Sequence, residues 1–373
     1  MTKKRVLVDG RFSSHHFAFR NVILNIAGQL TKGDEYDTYI LLSRKSDIED
    51  FKKLNAKLIL VSLNVDSSIR NHLFTLFFMP WIILFHRIDV TIYQTPCLFL
   101  FNPFSKVVIY LHDLIEYHID NQVGSKLTFR KKTYPYLCKH SDKIITVSEC
   151  SKKDIIDILG VDSEKVYVAL DGKDDQLTPV DKDEARTYVK KVYGVDNYIF
   201  YIGYLTHPQK NLIYLIDEFS VFHEEHKDST LVFAGPKGKD ADLILNHAKD
   251  VLPEGAFKYL GKVPYEDLKY LYSGCELFCF PSLFEGFGMP VLEAMTCGAV
   301  VLASNRSSIP EILPDKNCLI DPEQKGALSK KMNEYYNKDN TAIRDFNIER
   351  SKLFTWDEHG VVLRNVIRKL FGR

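Results

Sequence analysis

The sequence predicts an α/β protein built as two doubly wound domains facing each other across a cleft. Three observations predict it. Short β-branched runs recur and alternate with helical patterns. Several of these runs are continuously apolar, which marks strands buried on both faces and hence parallel sheets covered by helices. And 373 residues are too many for one ordinary core.

In chain order, the first half offers strands at RVLVDG (5–10), TYILLS (38–43), KLILVS (57–62), DVTIYQ (89–94), KVVIYLH (106–112), KIITVS (143–148) and KVYVAL (165–170). The second half offers YIFYIG (198–203), TLVFAG (230–235), FKYLGKV (257–263), ELFCFP (276–281) and AVVLAS (299–304). Helical patterns such as NLIYLIDEFSVFHEE (211–225) and PYEDLKYLYSG (264–274) lie between them. The stretch DGKDDQLTPVDKDEA (171–185) is charged and turn-rich, which suits a linker between domains. In open α/β sheets ligands bind at the carboxyl ends of the strands, so the loops that follow them are the places to search.

Composition narrows the function classes. With 45% hydrophobic and 26% charged residues the chain reads as soluble and globular. Lys plus Arg equals Asp plus Glu at 49 each, which gives no general case for nucleic acid. The seven cysteines are scattered; Cys275 and Cys279 suit no common zinc knuckle, so free thiols in a reducing cytoplasm are expected. MTKKRVLVDGRF has too short an apolar run for a signal peptide. The longest apolar run, Leu73 to Phe85, falls short of the roughly 20 residues that cross a bilayer.

One stretch stands apart: CFPSLFEGFGMPVLEAMTCG, residues 279–298. A strand ends at Pro281, Pro290 suits the first position of a helix, and Gly298 suits its end. The turn Gly286-Phe287-Gly288-Met289 then offers bare backbone N–H groups and the positive end of a helix dipole, an arrangement that attracts phosphate. Glu293, placed in the first helical turn, can accept hydrogen bonds from the vicinal hydroxyls of a ribose. Glu285, at the loop entrance, suits hydroxyls of another sugar beyond the phosphates. Two carboxylates flanking an anion site describe a nucleotide-sugar; the same spacing also suits a plain glycine turn with a helix-capping acid.

The wider constellation resembles the retaining glycosyltransferases of family four, their mannosyltransferase-like group included. FPSLFEGFGMPVLEAMTCGAVVLASNRSSIPEI is similar to that family's E-x7-E signature. Tyr110-Leu111-His112-Asp113-Leu114, ITVSECSKKDI (145–155), YIGYLTHPQKNLIYLIDEF (201–219), LVFAGPKG (231–238), LGKVPYEDLKYLYSG (260–274) and FTW (354–356) match its patterns in order. The resemblance covers essentially the whole chain. It implies the GT-B fold: a Rossmann-like acceptor domain over residues 1–180, a Rossmann-like nucleotide-sugar domain over 181–355, and a helix at 356–373 crossing back to the first.

By the same resemblance, Glu293 would bind ribose and Glu285 the transferred sugar. Phe287, Gly288 and Met289, after Gly286, would cradle that sugar and its phosphate with their backbone. Lys210 would neutralise the diphosphate, and a fixed cation there lowers the barrier as the leaving group gains charge; taken alone, it also reads as a solvated lysine at a helix start. His112 would meet the sugar, whereas a lone histidine at a strand end is as well read as core. The base would lie around Lys262 and Val263, with Gly235 giving room. Same-face attack, with the leaving phosphate taking the acceptor proton, needs no protein nucleophile. With no Asp-x-Asp on a strand end, no metal or other cofactor is expected. The co-substrate is a GDP-, UDP- or dTDP-linked sugar and the acceptor a glycan or lipid-linked glycan, which places the protein in surface polysaccharide synthesis.

The chain departs from the pattern in its first loop, RFSSHHFAFRN (11–21), which has no glycine and in which His15 and His16 would line the acceptor side, though both also read as exposed loop histidines. It departs also at Gln209, where many relatives carry arginine, and in a Gly203–Lys210 segment that reads one residue longer. These features keep a non-catalytic glycan-binding or partner-stabilising protein as the competing reading. A nucleotide-sugar epimerase is a third. The Leu73–Phe85 run reads as a buried helix or as one lying on a bilayer. The segment 126–143 sets six Lys/Arg against one Asp, which suits an anionic surface at the inner face of the plasma membrane.

Overall fold

The computed structural model describes residues 3–11, 17–61, 68–96, 104–119 and 125–372; His15 and His16 lie outside them. The chain divides into two compact units, Met1–Leu114 with Gly124–Gly172 and Thr355–Arg373, and Ile115–Val123 with Lys173–Phe354.

The first unit holds β1 (Lys4–Asp9), β2 (Tyr36–Leu42), β3 (Lys57–Leu60), β4 (Val90–Tyr93), β5 (Lys106–Tyr110), β6 (Lys143–Thr146) and β7 (Val166–Val168). They form one parallel sheet in the order β3-β2-β1-β4-β5-β6-β7, with Val6 opposite Thr38 on one side and Val90 on the other. The second unit holds β8 (Tyr198–Ile202), β9 (Thr230–Ala234), β10 (Phe257–Tyr259), β11 (Leu277–Phe280), β12 (Val301–Ser304) and β13 (Leu319–Ile320), in the parallel order β10-β9-β8-β11-β12-β13. This is a GT-B α/β architecture of two Rossmann-like sheets.

The continuous apolar runs behave as parallel-sheet physics requires. Val6, Leu7 and Val8 are fully buried, as are Leu277, Phe278, Cys279 and Phe280, on both faces of their strands. Each such aliphatic or aromatic side chain contributes about 1.5–3 kcal/mol of burial. All twelve expected strands are present, with ends shifted by a few residues. β13, two residues long, carries too little pattern to be read in advance.

Helix ends follow capping chemistry. Ser148 accepts from the Ser151 N–H at the start of Glu149–Leu159, and Asp181 accepts from Asp183 and Glu184 at the start of Lys182–Tyr193. The second case corrects the linker expectation. Residues 182–185 already belong to a helix, because Asp181 caps it and Ala185 and Val189 bury its inner face. Residues 171–181 alone are free of regular structure in that stretch. The apolar 73–85 run is likewise two helices, Ser68–Phe77 and Met79–His86, separated at Phe78. In the first unit the Trp356–Lys369 helix lies against the Phe17–Thr31 helix, where Arg364 donates to the Gln29 carbonyl (3.0 Å) and Gln29 to Asp357 (2.9 Å).

Candidate functional site

Parallel pairing puts the ends of β8, β9, β10, β11 and β12 along one edge of the second sheet, and the loops that follow them carry most of the expected site residues. The backbones there pack too closely for side chains. A Cβ on Gly235, whose φ is 116°, would stand 2.2 Å from the Gly203 carbonyl oxygen. The Gly235 N–H donates to the Gly261 carbonyl at 2.8 Å, tying the β9 and β10 loops together. Lys262 follows as an exposed residue and Val263 as a half-buried one.

The glycine turn after β11 is pinned from three sides. Leu283 N–H donates to the Gln209 carbonyl (2.8 Å), and the Gln209 side-chain amide donates to the Phe284 carbonyl (3.3 Å). Gln209 therefore holds the loop rather than leaving a gap where relatives carry arginine. Glu285 N–H donates to Ser307 Oγ (2.9 Å), and the Ser308 hydroxyl lies within hydrogen-bond distance of the carbonyls of both Glu285 (3.0 Å) and Phe287 (2.6 Å). The Phe287 ring is buried against Phe354, with centroids 6.0 Å apart. Gly288, at φ 113°, has no room for a Cβ, which would fall 2.7 Å from Ile309 Cδ1. It caps the Met289–Thr296 helix, where Pro290 has no N–H to offer and Val291 and Leu292 donate theirs to the Gly288 carbonyl (2.9 and 3.3 Å).

Two expected residues meet here. Lys210 Nζ lies 2.6 Å from Glu285 Oε1, with the ammonium 5.3 Å from the Phe280 ring centroid. The pair spans the ends of β8 and β11, where the strand order reverses. An ammonium has three donors, so Lys210 can keep Glu285 and still donate to an oxyanion.

Glu293 needs a correction. The helix starts at Met289, so Glu293 stands at the beginning of its second turn, with no acid in the first. Its Oε2 accepts from the Tyr272 hydroxyl at 2.8 Å. Burial pushes its carboxyl up to about 7; the Tyr272 hydrogen bond opposes the shift and the charge of Asp174 adds to it. Asp174 in turn accepts from the Tyr265 hydroxyl at 2.5 Å. The Tyr265, Tyr272 and Asp174 environment of Glu293 was missed in the sequence. LGKVPYEDLKYLYSG carries both tyrosines, but nothing in DGKDDQ marks one aspartate above its neighbours.

His112 belongs to the other unit, just past β5. Its ring centroid is 4.8 Å from that of Tyr110, and its carbonyl accepts from Ser151 Oγ at 3.0 Å. Burial pushes its pKa down to about 4, with the charge of His359 as the smaller cause, so the ring is neutral at pH 7. Tyr110 Oη lies 3.2 Å from His359 Nε2 and 3.4 Å from Asp171 Oδ1, both buried. Burial pushes His359 down to about 4 and Asp171 up to about 7. His359 comes from the Trp356–Lys369 helix, and no sequence spacing links it to His112. Among the described residues no group of three or more His, Cys, Asp or Glu is placed to hold a metal ion.

Comparison with known proteins assigns both halves. Residues 20–176 match the family model described as "Glycosyltransferase Family 4", and residues 185–347 match "Glycosyl transferases group 1". O-antigen chain mannosyltransferase B of Escherichia coli is 30% identical over 245 residues, covering 64% of this chain and 63% of that protein. O-antigen chain mannosyltransferase RfbU of Salmonella typhimurium is 26% identical, covering 58% and 56%. The match thus spans less than two thirds of these curated relatives. Among solved structures, a glycosyltransferase from Rickettsia africae superposes with a TM-score of 0.78 over 100% of this chain and 99% of that one, at 16% identity. Anabaena Alr3699/HepE, solved in complex with UDP and glucose, gives 0.76 over 99% of each chain, also at 16%. Likeness at that identity concerns the fold.

Proposed function

The chain belongs to the family-four glycosyltransferases, and on that premise we propose that it transfers a hexose from a nucleotide-sugar to a glycan or lipid-linked acceptor, with retention of configuration, in surface polysaccharide synthesis on the cytoplasmic side. The names of its relatives favour mannose as the sugar. The observation that carries the proposal is the Lys210–Glu285 pair set beside a backbone-rich turn at the strand ends.

In the proposed reaction, Lys210 shares its ammonium between Glu285 and the donor diphosphate. The bond from the sugar's anomeric carbon to the phosphate oxygen breaks, and the acceptor oxygen bonds to that carbon on the same face. The acceptor proton passes to the departing phosphate. Negative charge grows on the diphosphate as this happens, and a preset cation stabilises it; loss of one such group typically costs about 10²–10³ in rate. Lys210 supplies that charge, so the proposal includes no metal or other cofactor. Glu285 accepts hydrogen bonds from the transferred sugar and Glu293 from the ribose. Phe287, Gly288 and Met289 offer backbone to the sugar and phosphate, and Gly235, Lys262 and Val263 border the base. His112, neutral at pH 7, takes a hydrogen-bonding rather than a proton-donating part.

Thermal shift against GDP-, UDP- and dTDP-sugars tests the donor, because a ligand that binds the folded state raises stability by mass action. The preferred donor is then given to a lipid-linked acceptor and the anomeric configuration of the product read by NMR. Binding without transfer to any acceptor would favour the non-catalytic glycan-binding reading. An inverted product would end the retaining one.

A further inference from the structure

The first unit carries an apolar surface that its own fold does not use. The Met79–His86 helix is apolar on every face except at its last residue. Met79 and Ile83 bury one side of it, while Trp81 is 70% and Phe85 83% exposed. The preceding Ser68–Phe77 helix continues the strip with Phe77, 59% exposed, and Phe78 at the junction is equally bare. Isolated exposed apolar residues are ordinary, but four neighbouring aromatics are not.

A basic helix packs against the start of the Ser68–Phe77 helix that carries this strip. His72, on the Ser68–Phe77 helix, packs its ring 5.3 Å from that of Phe129, on the Ser125–His140 helix. Arg130, Lys131 and Lys132 follow Phe129 directly, and all three are exposed. The contact joins residues 57 positions apart in the sequence, and it is made within one unit.

We propose that this face docks the protein on the surface of an anionic lipid bilayer, with Phe77, Phe78, Trp81 and Phe85 entering the headgroup–acyl boundary and Arg130, Lys131 and Lys132 meeting lipid phosphates. Amphipathic aromatic rings favour that depth, and basic residues add attraction to anionic headgroups. Charge selects this occupant over a second copy of the chain. A symmetric dimer through the same face would set the basic helix close to its own image, and like charges there oppose association. None of the described helices is long and apolar enough to cross a membrane, so the contact is peripheral. The proposal stands apart from the transferase reading, since its measurement involves no sugar donor.

The test uses the two tryptophans of the chain. In full-length Trp356→Phe protein, Trp81 is the sole tryptophan and reports on its own surroundings. With vesicles of phosphatidylglycerol and phosphatidylcholine, Trp81 emission should shift to the blue and be quenched by lipid brominated high on the acyl chain. Wild-type protein should co-sediment with these vesicles and release as salt rises. Trp81→Ser with Phe85→Ser should weaken binding at least tenfold with circular dichroism unchanged. Lys131→Gln and Lys132→Gln should each cost about fivefold. Trp81 emission indifferent to anionic vesicles would overturn the proposal. So would a blue shift that follows protein concentration without lipid alongside a doubled mass, which would assign the face to a second copy. Equal binding to pure phosphatidylcholine would overturn the role of the basic helix.

Discussion

The two sheets share one strand order, β10-β9-β8-β11-β12-β13 repeating β3-β2-β1-β4-β5-β6, and each carries an ion pair beside the point where that order reverses. The pairs differ in what surrounds them. In the first unit Arg11 and Asp9 are sealed, with side chains 0% and 2% exposed. Arg11 donates twice to Asp9 (2.8 and 2.6 Å) and once to Thr75 (2.9 Å), with its guanidinium 4.8 Å from the Phe74 ring centroid. In the second unit Lys210 and Glu285 are 15% and 11% exposed and share one contact. The first pair is a fastener; in the proposed reaction the second is a tool at the same topological position. Burial and the number of donors already committed separate the two.

The largest effect should come from breaking the fastener. Arg11→Leu leaves the Asp9 carboxylate buried without its partner, which typically costs about 3–5 kcal/mol; urea unfolding should show it as a lower first midpoint. Lys210→Met should leave that midpoint nearly unmoved yet lower kcat/KM by about 10²–10³. If Lys210→Met instead unfolds the protein while transfer per folded molecule persists, the second pair is a fastener too.

A smaller effect divides the two glutamates. Loss of a charged hydrogen bond costs on the order of 1.5–3 kcal/mol. Glu293→Gln should weaken binding of the free nucleoside diphosphate and of the donor alike, by calorimetry. Glu285→Gln should spare the nucleoside diphosphate and reduce turnover. The reverse result would turn the donor end for end.

The smallest effect is a pH dependence. Burial holds the Glu293 carboxyl up at about 7 in the folded protein, above its ordinary range in the unfolded chain. A raised acid favours the folded state while protonated, and that contribution is lost as pH rises through about 7. His112 and His359, pushed down to about 4, work with the opposite sign: their contribution is present above the ordinary histidine range and is lost as pH falls toward 4. Glu293→Gln should therefore lose less Tm than wild type between pH 5 and 8. His359→Phe, keeping ring volume, should flatten the acid limb. Parallel curves for variants and wild type would mean that neither group titrates as its surroundings require.

The same contrast explains what was legible in the sequence. Strands buried on both faces write themselves as apolar runs, so most of the strand positions could be read before the structure; β3 and β10, at the sheet edges and only part-buried, were legible from their β-branched and aromatic residues. The glycine turn was legible because Gly, Pro and Glu there serve local backbone needs. Contacts between distant segments leave no such mark. Nothing near Lys210 shows that Glu285 will lie 2.6 Å away, and nothing near Glu293 announces Tyr272 or Asp174. The error over Glu293 was local. Pro290 drew attention as the first helical residue, but Gly288 is the cap and Met289 opens the helix. Gln209 was legible as a departure but not as a brace, because its partners belong to a loop beyond β11.

The helix that closes the first unit has a consequence for the order in which the protein is made. Trp356–Lys369 supplies His359 to the buried hydroxyl of Tyr110, and its Arg368 clasps Glu35 through two contacts of 2.9 and 2.8 Å. The long second unit, from Lys173 to Phe354, emerges from the ribosome before that helix does. During synthesis the earlier sheet must wait, with one face of the Phe17–Thr31 helix uncovered, while the later sheet assembles. The half of the molecule translated first is the half completed last.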